Sequence, residues 1–354
     1  MGRLSLLLQN IILHSLYKIN DERTVNSVYH LLTGKQSIQT IQDAHLFHLE
    51  RFFSLYKQLK METFNNALFP LIENNHIKKH EGNHFILTKS GEQIVKRFKL
   101  EQYNWHGMNY RLIDQQFIQR LFLIIQVWTN RQANINRYIP IIDDIKTIHW
   151  VKSFYRSEAN NVSTHLNKLY EELVSLFSQL PVIYPQLFMN QITTDKSIGL
   201  TNEQLVKKFN RPLTDIYLLQ KNYVHFILKS VKYQPKLFPM LYRFTEDLYN
   251  QKQTNTITSS AMHTANLVNN NLTPEQIASK RQLKVTTIYD HIVEIALHDE
   301  RFPMTKFITD AEQQEIYEAV RRLNSFKLKE IKQLVNENIS YFQIRLALTK
   351  LNQL

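Results

Sequence analysis

The sequence predicts a mainly α-helical protein with three parts. These are an N-terminal winged helix carrying a small β-hairpin, a helical middle region, and a C-terminal trihelical helix-turn-helix module. Three observations predict this. Only 6 glycines and 9 prolines punctuate 354 residues, and Ile, Leu, Gln, Lys and Asn are abundant, which favours long helices over a many-turned sandwich. Apolar residues recur at helical spacing behind capping residues along most of the chain. At one place, residues 77–87, the apolar period shortens to that of strands.

Leu4, Leu7, Leu8, Ile11 and Ile12 lie on one helical stripe, so an amphipathic first helix is expected. The segment also mimics a short signal peptide, but Asn10, His14 and Lys18 interrupt it and no small-residue cleavage site follows. Asn20-Asp21-Glu22 offers a cap for a second helix through Val25, Val28, Leu31 and Leu32, which Gly34 ends. Ser37 or Thr40 opens a third, with apolar residues from Ile41 to Phe53, and a fourth runs from Met61 to Glu73. Ile77 to Leu87 then reads as two strands around a Glu-Gly-Asn turn, and Thr88-Lys89-Ser90-Gly91-Glu92 opens a closing helix. Such a wing projects Lys78, Lys79, His80 and Lys89, which can lie along a phosphate backbone. Winged helices also serve as protein-interaction modules, and both uses stay open.

Residues 101–190 read as helical without a recognisable motif. Tyr103, Trp105, Tyr110, Trp128, Tyr138, Trp150, Phe154 and Tyr155 interleave there with Arg111, Arg120, Arg131, Arg137, Lys146, Lys152 and Arg156. That pattern can stack single-stranded bases, although core plus solvated face is its commoner meaning. Pro181, Pro185 and the polar stretch 191–197 suggest a break. Leu200-Thr201-Asn202-Glu203-Gln204 and Leu272-Thr273-Pro274-Glu275-Gln276 open two segments alike, a recurrence that implies a second helix-turn-helix at 200–230. The Gln-, Asn-, Thr- and Ser-rich run 250–260 reads as a linker. The chain therefore divides into 1–100, 101–250 and 255–354.

The most informative motif spans 272–295. Thr273-Pro274-Glu275-Gln276 caps a helix, with Pro274 at its first position. Ile277 and Ala278 point inward, Leu283 is the expected buried residue of the turn, and Ile288, Ile292 and Ile295 form the core face of the next helix. That spacing suits the docking of helix-turn-helix modules. The expected nucleic-acid contacts are Lys280, Arg281, Lys284, Thr286, Thr287 and Tyr289. Asp290 on the same face would repel phosphate unless it accepts from a cytosine amino group.

The chain carries 43 basic and 31 acidic residues, net +12, which suits a polyanionic partner. The excess is uneven. Residues 1–100 hold 13 basic and 8 acidic side chains, residues 101–270 hold 18 and 12, and residues 271–354 hold 12 and 11. The C-terminal module is thus nearly neutral, which keeps a protein-only adaptor role open.

The absence of cysteine removes disulfides, thiolate metal sites and thiol catalysis, and fits the cytosol. Thr33-Gly34-Lys35-Gln36-Ser37 lacks the upstream glycine and the hydroxyl directly after lysine that a phosphate loop needs. His76, His80 and His84 straddle a strand turn and so are not expected to share a face for metal binding. Asp143-Asp144 reads as a helix start. The apolar run Phe117 to Trp128 is too short for a membrane span of ~20 residues. Neither an enzyme, a cofactor, a metal nor a membrane segment is expected.

The stretch from Thr258 to Leu348 resembles the helicase-associated helix-turn-helix family found at the C terminus of RecQ-type helicases. Thr264, Leu267, Leu272 to Ala278, Arg281, Leu283, Thr287-Ile288, His291-Ile292, Phe326 to Ile331 and Ile339 to Leu346 carry the resemblance. Ser27 to Lys35 and Gln39 to Ala44 are similar to the stand-alone, YpbB-type branch, encoded beside a short RecQ-type helicase that lacks its own C-terminal extension. The resemblance covers both ends well and residues 101–190 vaguely. It implies a DNA-contacting helicase accessory in replication, recombination or repair, cytoplasmic and nucleoid-associated. A sequence-specific transcription regulator is the remaining alternative.

Overall fold

The structure, a computed structural model, describes residues 5–158, 161–254 and 257–351. Its N-terminal part holds α1 (Leu6–Ile19), α2 (Val25–Thr33), α3 (Ile38–Leu46), α4 (Met61–Glu73), β1 (Ile77–Lys79), β2 (Phe85–Leu87) and α5 (Lys89–Arg97). The strands pair antiparallel, with Ile77 opposite Leu87, Lys78 opposite Ile86 and Lys79 opposite Phe85. Gly82 turns the chain at φ +54°, which a Cβ disfavours. Ile77 and Phe85 face the core while Lys78 and Lys79 stay exposed. After α1, the helices α2, α3 and α4, the hairpin and the closing α5 thus follow the winged-helix order.

The first helix forms with its expected stripe Leu7, Leu8, Ile11 and Ile12 buried, and Leu13, Ser15 and Leu16 are buried as well, because α4, α5 and β2 pack on α1 from one side and a later helix covers another. Leu4 lies outside the described residues. Two expectations for this part need correction. Asn20 caps no second helix. It closes α1 in the left-handed region at φ 44°, and Thr24 stands at the N-cap of α2. Finally, α3 stops at Leu46, and the apolar residues up to Phe53 are buried along an irregular path with a 3-10 turn at Glu50–Phe52. Burial, not helical continuity, explains that apolar run.

The middle part comprises α6 (Gly107–Tyr110), α7 (Asp114–Gln132), α8 (Ile145–Glu158), α9 (Val162–Phe177), α10 (Ile183–Gln191), α11 (Asn202–Phe209), α12 (Leu213–Tyr233), α13 (Pro239–Arg243) and α14 (Glu246–Thr254). The chain breaks after Phe177, in the stretch that holds Pro181, and again after Gln191, whereas Pro185 sits inside α10. The long α12 is the axis: Ile216, Leu218, Ile227, Leu228 and Val231 are fully buried. It also carries buried polar groups. Asp114 of α7 accepts from Lys221 Nζ at 2.6 Å and His225 Nε2 at 3.1 Å. Burial by itself raises the pKa of such a carboxyl; the His225 hydrogen bond and the Lys221 charge outweigh it and hold Asp114 below the carboxylate range. Trp105, itself fully buried, donates its indole N–H to Leu218 O at 2.9 Å.

The C-terminal part holds two three-helix units where the sequence suggested one. The first is α15 (Ser259–Asn269), α16 (Pro274–Arg281) and α17 (Val285–His298). The second is α18 (Asp310–Leu323), α19 (Leu328–Leu334) and α20 (Tyr341–Leu348). The supposed linker 250–260 is largely helix, since α14 runs to Thr254 and α15 starts at Ser259; Asn255 and Thr256 lie outside the described residues. The second unit packs on α17 through α20, and α17 packs on α3. Phe326 N donates to Glu22 Oε2 at 2.6 Å, the Phe326 ring meets Phe47 edge-on, and Gln42 Nε2 donates to Arg345 O at 2.7 Å. Among the described residues, no helix is long and apolar enough to cross a membrane.

Candidate nucleic-acid interface

The helix-turn-helix is built locally as its residues dictate. Thr273 and Gln276 form a reciprocal capping box, with Thr273 N donating to Gln276 Oε1 at 2.9 Å and Gln276 N to Thr273 Oγ1 at 3.3 Å. Pro274 occupies the first helical position. Gln282, at φ 53°, closes α16 in the left-handed region and swings the chain into α17. Ile277, Ala278, Ile288, Ile292 and Ile295 form the core, as the spacing predicts. Leu283 does not. It is 37% exposed, because the turn lies on the outer side of the unit.

The expected contact residues separate into two groups. Lys280, Lys284 and Thr286 are exposed around the start of α17. Lys284 stands at the N-cap without a side-chain cap bond, so its ammonium is free to reach outward. This is the end of a recognition helix from which base edges are read. The others are engaged inside the protein. Arg281 donates to Ser260 O at 2.8 Å, to Ser260 Oγ at 2.9 Å and to Thr264 Oγ1. Thr264 also bonds His291 Nδ1 at 2.9 Å, and burial, then the Arg281 charge, lowers the His291 pKa. This polar cluster ties α15 to both other helices. Tyr289 stacks on Phe342 with centroids 4.2 Å apart, and its hydroxyl meets Glu275 at 3.3 Å. Asp290 is neutralised by Arg345 at 2.7 Å. Thr287 is half-buried. The later turns of α17 thus face α20, and only its first turn is presented.

On the wing, Lys78, Lys79, His80 and Lys89 are exposed. His80 and His84 do share a partner, contrary to expectation. Their Nδ1 atoms lie 2.9 Å and 3.4 Å from the two Asp21 carboxylate oxygens, which pins the hairpin to the α1–α2 connection. His76 turns away to Ser90 Oγ at 2.7 Å. Among the described residues, no group of three or more His, Cys, Asp or Glu side chains is arranged to hold a metal ion.

The wing tip faces α19 across a cleft of about 600 Å³ lined by Asp21, His80, Gly82, Lys327 and Lys329 among others. Sequence reasoning missed Lys327 and Lys329 as neighbours of the wing. No local signal could reveal them, since they are brought there by the docking of the second C-terminal unit. The helix that precedes the wing, α4, has no basic residue. It carries Glu62 and Glu73 and exposes Met61, Phe69 and Ile72, an acidic and apolar face unsuited to phosphate.

The family model that matches describes a helix-turn-helix domain, over residues 260–348, spanning both three-helix units. No solved structure matches the chain. Protein YpbB of Bacillus subtilis (strain 168) is 31% identical over 345 residues, covering 96% of each chain. Together with the helix-turn-helix domain, that relationship points to a DNA-binding protein. At this identity over nearly its whole length, the chain belongs to the YpbB family of helix-turn-helix proteins.

Proposed function

We propose that the chain is a non-catalytic accessory of a RecQ-type DNA helicase, contacting DNA and the helicase together in replication, recombination or repair. The observation that carries the DNA contact is the exposed, cationic turn between α16 and α17, with Lys280 near the end of α16, Lys284 at the N-cap of α17 and Thr286 in its first turn all exposed while the rest of α17 is packed. The wing residues Lys78, Lys79, His80 and Lys89 add a second set of phosphate contacts. The helicase partner rests on the likeness of residues 258–348 to the module attached to RecQ-type helicases. In this reading 1–100, 101–250 and 255–354 act as three units, and the protein is cytoplasmic and nucleoid-associated.

The face of α4 supports a protein contact in the same assembly. Met61, Phe69 and Ile72 form one exposed stripe, with Phe69 59% exposed. An aromatic anchor amid apolar neighbours suits a partner protein better than a phosphate backbone. The C-terminal module and the wing then hold DNA, and the α4 face of the winged helix holds the motor.

The test measures unwinding of a labelled fork by the helicase, alone and with the full chain. Stimulation by the chain that Lys280→Glu with Lys284→Glu removes is the expected result. Unchanged unwinding, together with no pull-down of the helicase, sinks the accessory role. DNA binding that persists in that outcome leaves the regulator, which predicts a discrete footprint.

A further inference from the structure

The middle region carries a basic excess as large as that of residues 1–100, and much of it lies far in sequence from the helix-turn-helix. On α8, Lys146, His149, Lys152 and Arg156 recur every three or four residues and are all exposed, so they share one helix face. They span roughly 15 Å at the usual rise. Ser153 and Ser157 fill that face, with no carboxylate between them. Of the acids at its two ends, Asp144 accepts from Thr147 N at 2.8 Å and Glu158 pairs with Arg243 and His165, while Asp143 is exposed just before the helix.

The connection into α8 continues the surface. Buried Gln126 donates to Ile139 O at 3.0 Å and accepts from Ile141 N at 3.0 Å, while Ile135 N is held by Asn130 O at 2.8 Å. One core amide therefore orders a connection that nevertheless leaves Ile139 88% exposed, together with Arg137 and Tyr138. Between this connection, α7 and α8 lies a pocket of about 240 Å³, walled by Leu123, Val127, Ile148 and Val151, with Tyr138 and Tyr155 beside them and Arg131 and Lys152 as its cations. Among the described residues, no carboxylate lines it. Its volume lies below the roughly 300–1,000 Å³ of small-molecule sites, so it suits a single flat ring system. Tyr138 and Tyr155 are near enough that, after burial, the Tyr155 phenol helps push the Tyr138 pKa up.

We infer that α8 and the connection before it form a single-stranded nucleic-acid site, separate from the helix-turn-helix. The cations of α8, with Arg131 and Arg137, follow the phosphates, and one base enters the pocket beside Tyr138 and Tyr155. A charged track with adjoining aromatic faces is how sequence-tolerant single-strand binding is built. A duplex, whose bases are stacked away, cannot fill the pocket. The site would let the protein hold the strand released at a fork while α17 holds duplex.

Fluorescence anisotropy of the full chain with labelled oligothymidine, and with a blunt duplex, at two salt concentrations tests this. The combined Lys146→Glu, Lys152→Glu and Arg156→Glu variant should weaken oligothymidine binding about tenfold or more and flatten its salt slope by about 2, since each lost single-strand contact removes ~0.7. Duplex binding should hold. Tyr138→Ala should weaken oligothymidine binding without changing the slope. Lys280→Glu with Lys284→Glu should do the reverse, losing duplex and keeping single strand, so failure of the α17 reading is seen separately. Single-strand binding that survives the triple reversal overturns the inference. So does an equal loss on both DNA forms. A labelled acidic, apolar peptide that binds at Tyr138 when oligothymidine does not would reassign the pocket to a protein partner.

Discussion

The pairs α11–α12 and α16–α17 begin from nearly the same local code and end in opposite roles. Thr201 with Gln204, and Thr273 with Gln276, form the same capping box. Leu205 and Ile277 are both fully buried, and Asn210 and Gln282 both close their helices in the left-handed region. Thr214 matches Thr286, and Ile216 matches Ile288. Yet the first turn of α12 is covered: Asp215 accepts Leu7 N at 3.3 Å and the Ser5 hydroxyl. The equivalent turn of α17 is open. A helix-turn-helix is therefore a folding unit first, and reads DNA only where nothing else packs on its second helix.

The buried polar side of α12 offers the largest effect. Asp114→Asn removes the counter-charge of Lys221, which is 8% exposed, and should cost about 3–5 kcal/mol of unfolding free energy in urea titration. No change in the denaturation midpoint would show that this pair is not what holds α7 to α12. Acid should act in the same direction. Asp114 is held below its ordinary range, so its contribution is present above the unfolded carboxylate pKa and is lost as pH falls through that range and below. Burial, chiefly, lowers His14, His106 and His298 to about 4. The unfolded chain binds those protons first, so stability should decline as pH falls from about 6.5 towards 4. A flat melting temperature across that window counts against neutral buried histidines.

Next in size is Arg281→Ala, which empties the cluster joining Ser260, Thr264 and His291. It should destabilise the C-terminal module by about 2 kcal/mol. DNA affinity should fall only as far as the module unfolds; a loss of binding with the melting curve unchanged would make Arg281 a contact residue after all. Lys280→Glu with Lys284→Glu should do the opposite, lowering duplex affinity about tenfold with stability within roughly 0.5 kcal/mol. The same reversal at Lys207 and Lys208 of the covered pair should leave duplex binding alone. Equal losses at both pairs would break the comparison. The smallest effect tests what the pairs share: Thr201→Ala and Thr273→Ala should each cost about 1 kcal/mol, since both boxes make the same bonds.

Much of this was legible in order and little of it in position. The boundaries of α4, the strand pair, the caps at Thr88, Thr201 and Thr273, and the core face of α17 follow from spacing and capping chemistry, which act within a few residues. The second C-terminal unit was harder to see because α19 is short and Lys327 gives no side-chain cap. The split of the contact residues was not legible. Lys280 and Arg281 are adjacent cations, and only the location of Ser260 and Thr264 makes one structural. Tyr289 likewise looked free until Phe342, far along the chain, covered it.

By itself, the sequence determined most of the helical segments, where the chain turns to β-structure, and which residues are apolar enough to be buried. Tertiary structure decided which helix faces remain for partners. Hydrogen-bonded capping and hydrophobic period are local quantities, written in neighbouring residues. Exposure is what remains after every other segment has packed, so it depends on contacts such as Leu7 with Asp215 and Phe342 with Tyr289 that no local pattern encodes.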